Sequence, residues 1–224
     1  AEFGRYAGAI VTSGLREPRE KAFFQGALRP IDAAGATEFP LANGKAHAFI
    51  GGRVAFAEPL LAAFAPGYFV DYRDYQARLT YDLTKKDRLT VLGFGAYDFA
   101  SQTEEGQKLV LFASEFHRAE ARWDRKLEKD GRLRVALTLG ADRTRVAGKR
   151  FGRSVLFGLR AEASRGLTKA LSLSGGLRLE REAFDADLPS PWGLTASDYD
   201  LTKKYFGAHV DTVLSAFAEA RLAL

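Results

Sequence analysis

Gly93-Phe94-Gly95-Ala96-Tyr97-Asp98 comes after a strand-like run and has the outline of a glycine-rich phosphate loop. Such a loop needs a helix directly behind it, because the helix N-terminus holds the pyrophosphate. The next residues are "FASQTEEGQKLVLF", a polar connection and a second strand-like run. The spacing argues against nucleotide binding. Glycines inside a strand mark a bulge, a bend or a close backbone approach instead. The three histidines, His47, His117 and His209, form no His-x-x-x-His or Glu-x-x-His pattern, so a metal site would need partners from distant strands. His117 has Glu115 and Glu120 nearby, the pattern of a structural or solvated pair. His209 and Asp211 lie beside a loop crowded with Asp185, Asp187, Asp198 and Asp200, which reads as a solvated acidic loop. No Gly-x-Ser-x-Gly elbow supports serine chemistry. Catalytic residues, a metal and a cofactor are therefore not expected, and the protein is not read as an enzyme.

Composition narrows the classes further. The 224 residues include no cysteine, which removes disulfides, thiolate catalysis and Cys-ligated metals together. No methionine is present and no signal peptide is visible, so the chain reads as a processed or excised piece. The net charge of +5 comes from 33 basic residues interspersed with 28 acidic ones, without a basic block, so no nucleic-acid partner is expected. No apolar run reaches the roughly 18 residues of a membrane helix. That leaves membrane-spanning strands open, since each carries only about ten alternating residues.

The elements that position these residues have a period of two. In "DYQARLTYDL" Tyr75, Ala77, Leu79, Tyr81 and Leu83 share one face against Gln76, Arg78, Thr80 and Asp82. Leu133, Val135, Leu137 and Leu139 oppose Arg132, Arg134 and Thr138; Leu171, Leu173, Leu177 and Leu179 oppose Ser172, Ser174, Arg178 and Glu180. The pattern predicts ten long strands near 21–31, 34–42, 45–57, 69–84, 88–101, 109–127, 132–146, 153–165, 170–185 and 205–224, most of them far longer than the usual 5–6 residues. The best helical stretch is the short "EPLLAAFAP".

Connections alternate in length. "LANGK", "LTKKDR", "EKDGR" and "SRGLTKA" are tight, while "AEPLLAAFAPGY", "ASQTEEGQK", "VAGKRFG" and "DADLPSPWGLTASDYDLTKK" are mostly longer. Long strands with short turns at one rim and longer loops at the other predict an all-β, antiparallel up-and-down transmembrane β-barrel portion, its turns periplasmic and its loops extracellular. Tyr72, Tyr75, Tyr97, Phe99, Trp123, Tyr205 and Phe206 lie near strand ends, as interface girdles do.

The opening "AEFGRYAGAIV", with Glu2, Phe3, Gly4, Gly8 and Val11, resembles the end of the plug domain of TonB-dependent outer-membrane receptors, with Ala9 where a second Gly is often found. "DYQARLTYDLTKKDRLTVLGFGAYD" is similar to an early barrel hairpin of that family. Together these segments cover about a sixth of the chain. The resemblance implies a plug end over 1–14, barrel strands over 15–224, and about ten of the family's roughly twenty-two strands. It further implies an outer-membrane location and energised uptake of a scarce ligand such as a siderophore, metal chelate or vitamin-like molecule. The implied partners are the lipid bilayer, the protein's own plug and remaining strands, and a TonB-type energising protein. The alternative is a complete ten-stranded outer-membrane barrel, either an omptin-like protease or a structural protein. Pairing of the first strand with the last separates these.

Two residue sets are singled out. Arg78, Arg118, Glu120, Arg122, Arg160, Arg178 and Glu180 fall on the charged face and would line the lumen, against the plug; Arg132, Arg134, Glu162, Glu219 and Arg221 share that face. Trp192, Asp198, Tyr199, Asp200 and Tyr205 lie in the longest loop, where aromatic surface and oxygen ligands could meet a ligand.

Overall fold

The computed structural model describes residues 15–146, 150–168, 170–187, 200, 204 and 207–222. Ten strands succeed one another: β1 (Phe23–Leu28), β2 (Asp32–Leu41), β3 (Ala46–Ala55), β4 (Tyr68–Asp82), β5 (Asp87–Glu104), β6 (Gln107–Lys126), β7 (Arg132–Val146), β8 (Arg150–Gly166), β9 (Leu171–Asp187) and β10 (His209–Leu222). Each pairs antiparallel with its predecessor and successor, giving one up-and-down sheet in sequence order. Among the described residues β1 pairs only with β2, and β10 only with β9. The ten strands do not close on themselves there. One helix, α1 (Glu58–Phe64), occupies the β3–β4 connection, started by Pro59 in its first turn, where a missing N–H costs nothing.

Turn chemistry fixes one rim. The β2–β3 turn places Asn43 and Gly44 at φ 55° and 84°, conformations that Asn and Gly tolerate. In the β4–β5 turn the Thr84 hydroxyl oxygen accepts the N–H groups of Lys86 and Asp87, at 3.1 and 2.9 Å. Thr168 does the same for Ala170 and Leu171 in the β8–β9 turn, at 3.2 and 3.0 Å. The two Leu-Thr-Lys turns use one device, a side-chain oxygen that closes the chain over unpaired donors.

The opposite rim departs from the predicted pattern of loops. "ASQTEEGQK" is not a long loop: β5 and β6 run on to a two-residue turn at Glu105 (φ 49°) and Gly106 (φ 77°). The primed geometry of such a turn matches strand twist. β7 and β8 likewise extend to Val146 and Arg150. Polar alternation continues past the apolar band in these segments, and backbone pairing needs no apolar residue to persist. A bulge at Ala100/Ser101 shifts the β5–β6 register on the way.

The faces are inverted relative to a water-soluble sheet. Leu139 and Leu177 are 51% and 59% exposed on the apolar face. On the other face Thr90 is 2% exposed and Glu38 is fully buried. Tyr72 corrects the predicted girdle. It lies on the polar face, three residues from Tyr75 and so of opposite parity, and its hydroxyl donates to Asp32 at 2.8 Å. Tyr75, Tyr97, Phe99 and Trp123 are on the apolar face; Tyr205 and Phe206 lie outside the described residues.

Candidate functional site: the charged face

One row of paired residues crosses nine strands: Glu38, Phe49, Arg78, Leu92, Glu120, Thr138, Gly158, Glu180 and Val213. Direct cross-strand partners point to the same side of a sheet. Arg118 and Arg122 flank Glu120 at two-residue spacing, and Arg160 and Arg178 stand opposite each other next to this row. All seven charged residues singled out in the sequence therefore share one face.

The N-terminal end of that face is covered. Glu38 is wholly buried and its carboxylate takes Arg16 Nη2 and Arg78 Nη2, each at 2.7 Å, and the backbone N–H of Arg19 at 3.3 Å. Arg78 also donates to the Arg16 carbonyl at 2.7 Å. It reaches across β3, where its guanidinium lies 5.9 Å from the Phe49 ring. Arg88 on β5 adds a bond to Glu17 at 2.7 Å. Residues 16–19 are thus strapped across β2–β5 by charge-assisted bonds, which are the strong ones. A buried carboxylate with this many donors is satisfied; one without them would be strongly unfavourable.

Further along, the charges compensate one another in short ladders. Asp142 receives a two-pronged fork from Arg118, both bonds 2.7 Å, and a bond from the Ser154 hydroxyl at 3.3 Å. Gly140 opposite Arg118 provides the room: a Cβ there would stand 3.0 Å from the guanidinium and its stem. Asp124 gathers Arg122, Arg132 and Arg134 at 2.8, 2.7 and 2.7 Å. Arg122 also approaches Glu120 at 3.7 Å, Arg160 meets Glu162 at 3.1 Å, and Arg178 is bonded to Glu180. Sequence parity puts Asp124 and Asp142 on the polar side of their strands but singles out neither of them, nor Glu38, as the hubs they are. A hub is defined by cross-strand partners up to 40 residues apart, and only parity on each strand hints at it.

The remaining candidates separate. His117 is on the apolar face, its Nδ1 3.0 Å from the Tyr75 hydroxyl, while Glu115 approaches Arg143 at 3.9 Å and Glu120 faces the other way. His209 Nε2 is 3.4 Å from Asp211. Among the described residues no three His, Cys, Asp or Glu side chains cluster as a metal site would. Of the long-loop residues Asp200 is exposed; Trp192, Asp198, Tyr199 and Tyr205 lie outside the described residues.

Of the glycine pair that resembled a phosphate loop, Gly95 is the one that packing demands; an added Cβ at Gly93 would meet nothing closer than 3.9 Å. A Cβ there would stand 2.5 Å from the Phe116 carbonyl and 2.8 Å from both Tyr75 and His117. Only glycine lets Tyr75 of β4 lean over β5 to reach His117 of β6.

A ten-stranded up-and-down sheet, apolar on one face and ion-paired on the other, has the architecture of an outer-membrane barrel wall. The siderophore receptor PirA from Acinetobacter baumannii matches with a TM-score of 0.64 and 11% identity, over 92% of this chain and 37% of that one. The ferric enterobactin receptor PfeA (a mutant form) from Pseudomonas aeruginosa matches at 0.62 and 12%, over 91% and 36%. The FpvAI–pyocin S2 complex matches at 0.56 and 12%, over 81% and 29%. The chain has the barrel fold of these receptors and spans about a third of their length. No protein-family model and no curated protein matches the sequence.

Proposed function

We propose that this chain is part of the wall of a TonB-dependent receptor in a bacterial outer membrane, contributing to energised import of a scarce ligand such as a siderophore, metal chelate or vitamin-like molecule. The observation that carries the reading is the inverted sheet: hydrophobic residues exposed on one face, and the other organised around the buried Glu38–Arg78 pair. Its structural similarity to siderophore receptors gives the reading its direction. In this proposal the apolar face meets lipid and the charged face meets a plug, of which residues 1–14 are the end. The tight turns face the periplasm, and the loop carrying Trp192, Asp198, Tyr199, Asp200 and Tyr205 meets the ligand outside. Plug rearrangement would be driven by a TonB-type partner, with further strands continuing the sheet beyond β1 and β10. A closed ten-stranded barrel is disfavoured by the lack of β1–β10 pairing among the described residues.

The test is growth of a deletion strain on ferric siderophores as sole iron source, complemented with the intact gene or with one lacking residues 187–203. The reading expects loss of growth on at least one siderophore, restored only by the intact gene. Unchanged growth on every iron source tested would count against import, and full rescue by the shortened gene would remove the loop from ligand binding.

A further inference from the structure

On the apolar face, β2 to β5 form an open groove of about 590 Å³. Its floor is the backbone at Gly35 and Gly52, paired side by side, and its walls are Val54, Tyr75 and Tyr97. At Gly35 an added Cβ would meet nothing closer than 3.9 Å, so the floor there is open to the outside. A groove of this shape on a lipid-facing wall fits one acyl chain lying against backbone between aromatic rings.

Arg73 lines the end of the groove nearer the β5–β6 turn, and Lys108 lies further out on the same face; both are seated on aromatic rings. The Arg73 guanidinium lies 5.4 Å from the Tyr97 ring, and the Lys108 ammonium lies 5.1 Å from each of Phe69 and Phe99. Arg73 is paired with Asp71, yet its side chain stays 61% exposed and keeps donors free for a second acceptor. On this face of β4–β7, beyond the apolar band, Arg73, Lys108, Arg143 and Arg145 outnumber Asp71 and Glu115, leaving a surplus of positive charge. Cations over aromatic rings at the edge of an apolar band suit an anionic headgroup at a membrane interface.

We propose that this corner of the wall holds a net-anionic membrane lipid with a phosphomonoester headgroup, in the leaflet on the β5–β6 turn side, with one acyl chain in the Gly35–Gly52 groove and its phosphate against Arg73 and Lys108. The inference rests on the reading of the apolar face as lipid-facing. The charge surplus selects the phosphate, and the groove selects the chain.

The experiment uses the full-length protein in phosphatidylcholine vesicles doped with phosphatidic acid or phosphatidylcholine, each carrying a diazirine in one acyl chain. Photolabelled peptides are then mapped. The expected result is labelling of residues 33–35 and 52–54 about fivefold higher with the phosphatidic acid probe, the factor expected from about one cation near a membrane surface. The double variant Arg73→Gln/Lys108→Gln brings the ratio to about one, and Gly35→Leu lowers labelling by both probes. Equal labelling of the wild type by both probes, or an unchanged ratio in the double variant, overturns the lipid site while leaving the membrane reading intact. Failure to enter either vesicle would overturn the membrane reading, and the lipid site with it.

Discussion

Arg78 and Leu79 are neighbours on β4 and live in opposite worlds. The arginine is 8% exposed and the leucine 47%. In a water-soluble sheet the order would be reversed, because charged groups are almost never fully buried unless paired. Here the arginine has its pair in Glu38, and the leucine stands about half exposed. The contrast repeats across the sheet. Charge matched with charge holds the polar face together, and the apolar face needs a solvent other than water.

The largest expected effect comes from breaking the covered pair. Glu38→Ala leaves the Arg78 guanidinium buried without its carboxylate and removes the anchor of residues 16–19, a loss of about 3–5 kcal/mol. A lower urea midpoint in vesicles, with faster proteolysis within residues 15–22, checks it. Next is an attack on the other face. Leu137→Arg places a charge in the middle of the apolar band of β7 and is expected to cost about 2–4 kcal/mol in a bilayer. Thr138→Arg, one residue along and on the polar face, is expected to cost clearly less in the same unfolding assay. If the two cost the same, the faces are not differently solvated.

Gly95→Val sharpens the comparison at a place where the apolar face is tightly packed. The new Cβ collides with the Phe116 carbonyl, so about 1–3 kcal/mol should be lost, with the Tyr75–His117 hydrogen bond broken. A shifted His117 imidazole resonance would report the break. The smallest effect belongs to Arg221→Ala, whose side chain is 79% exposed beside Glu219; the unfolding midpoint should stay within error.

The period of two makes most of this legible. Leu133 to Leu139 against Arg132 to Thr138 identify both faces of β7, and Asn43-Gly44 locates the β2–β3 turn. Loop lengths at the rim beyond the apolar band are not legible, because Ser101 to Glu104 and Gln107 to Val110 pair through backbone groups that no side-chain pattern reports. Tyr72 departs from the expected girdle because parity along the strand, rather than proximity to its end, decides the face. Glu38 escapes notice because its meaning depends on Arg16 and Arg78, on two other segments of the chain. Gly95 reads as scaffold from the sequence, but the reason, the Tyr75–His117 crossing, needs three strands in register.

The most direct test uses the absence of cysteine from these 224 residues, with any cysteine elsewhere in the full-length protein replaced by serine. Single nitroxide labels placed in turn at positions 133 to 140 of β7, in the full-length protein in vesicles, report collisions with oxygen, which partitions into lipid, and with a water-soluble nickel chelate. The expected result alternates: positions 133, 135, 137 and 139 favour oxygen, while 134, 136, 138 and 140 show little oxygen contact. Odd positions as open to the nickel chelate as any aqueous surface would contradict the inverted sheet, and the membrane reading with it.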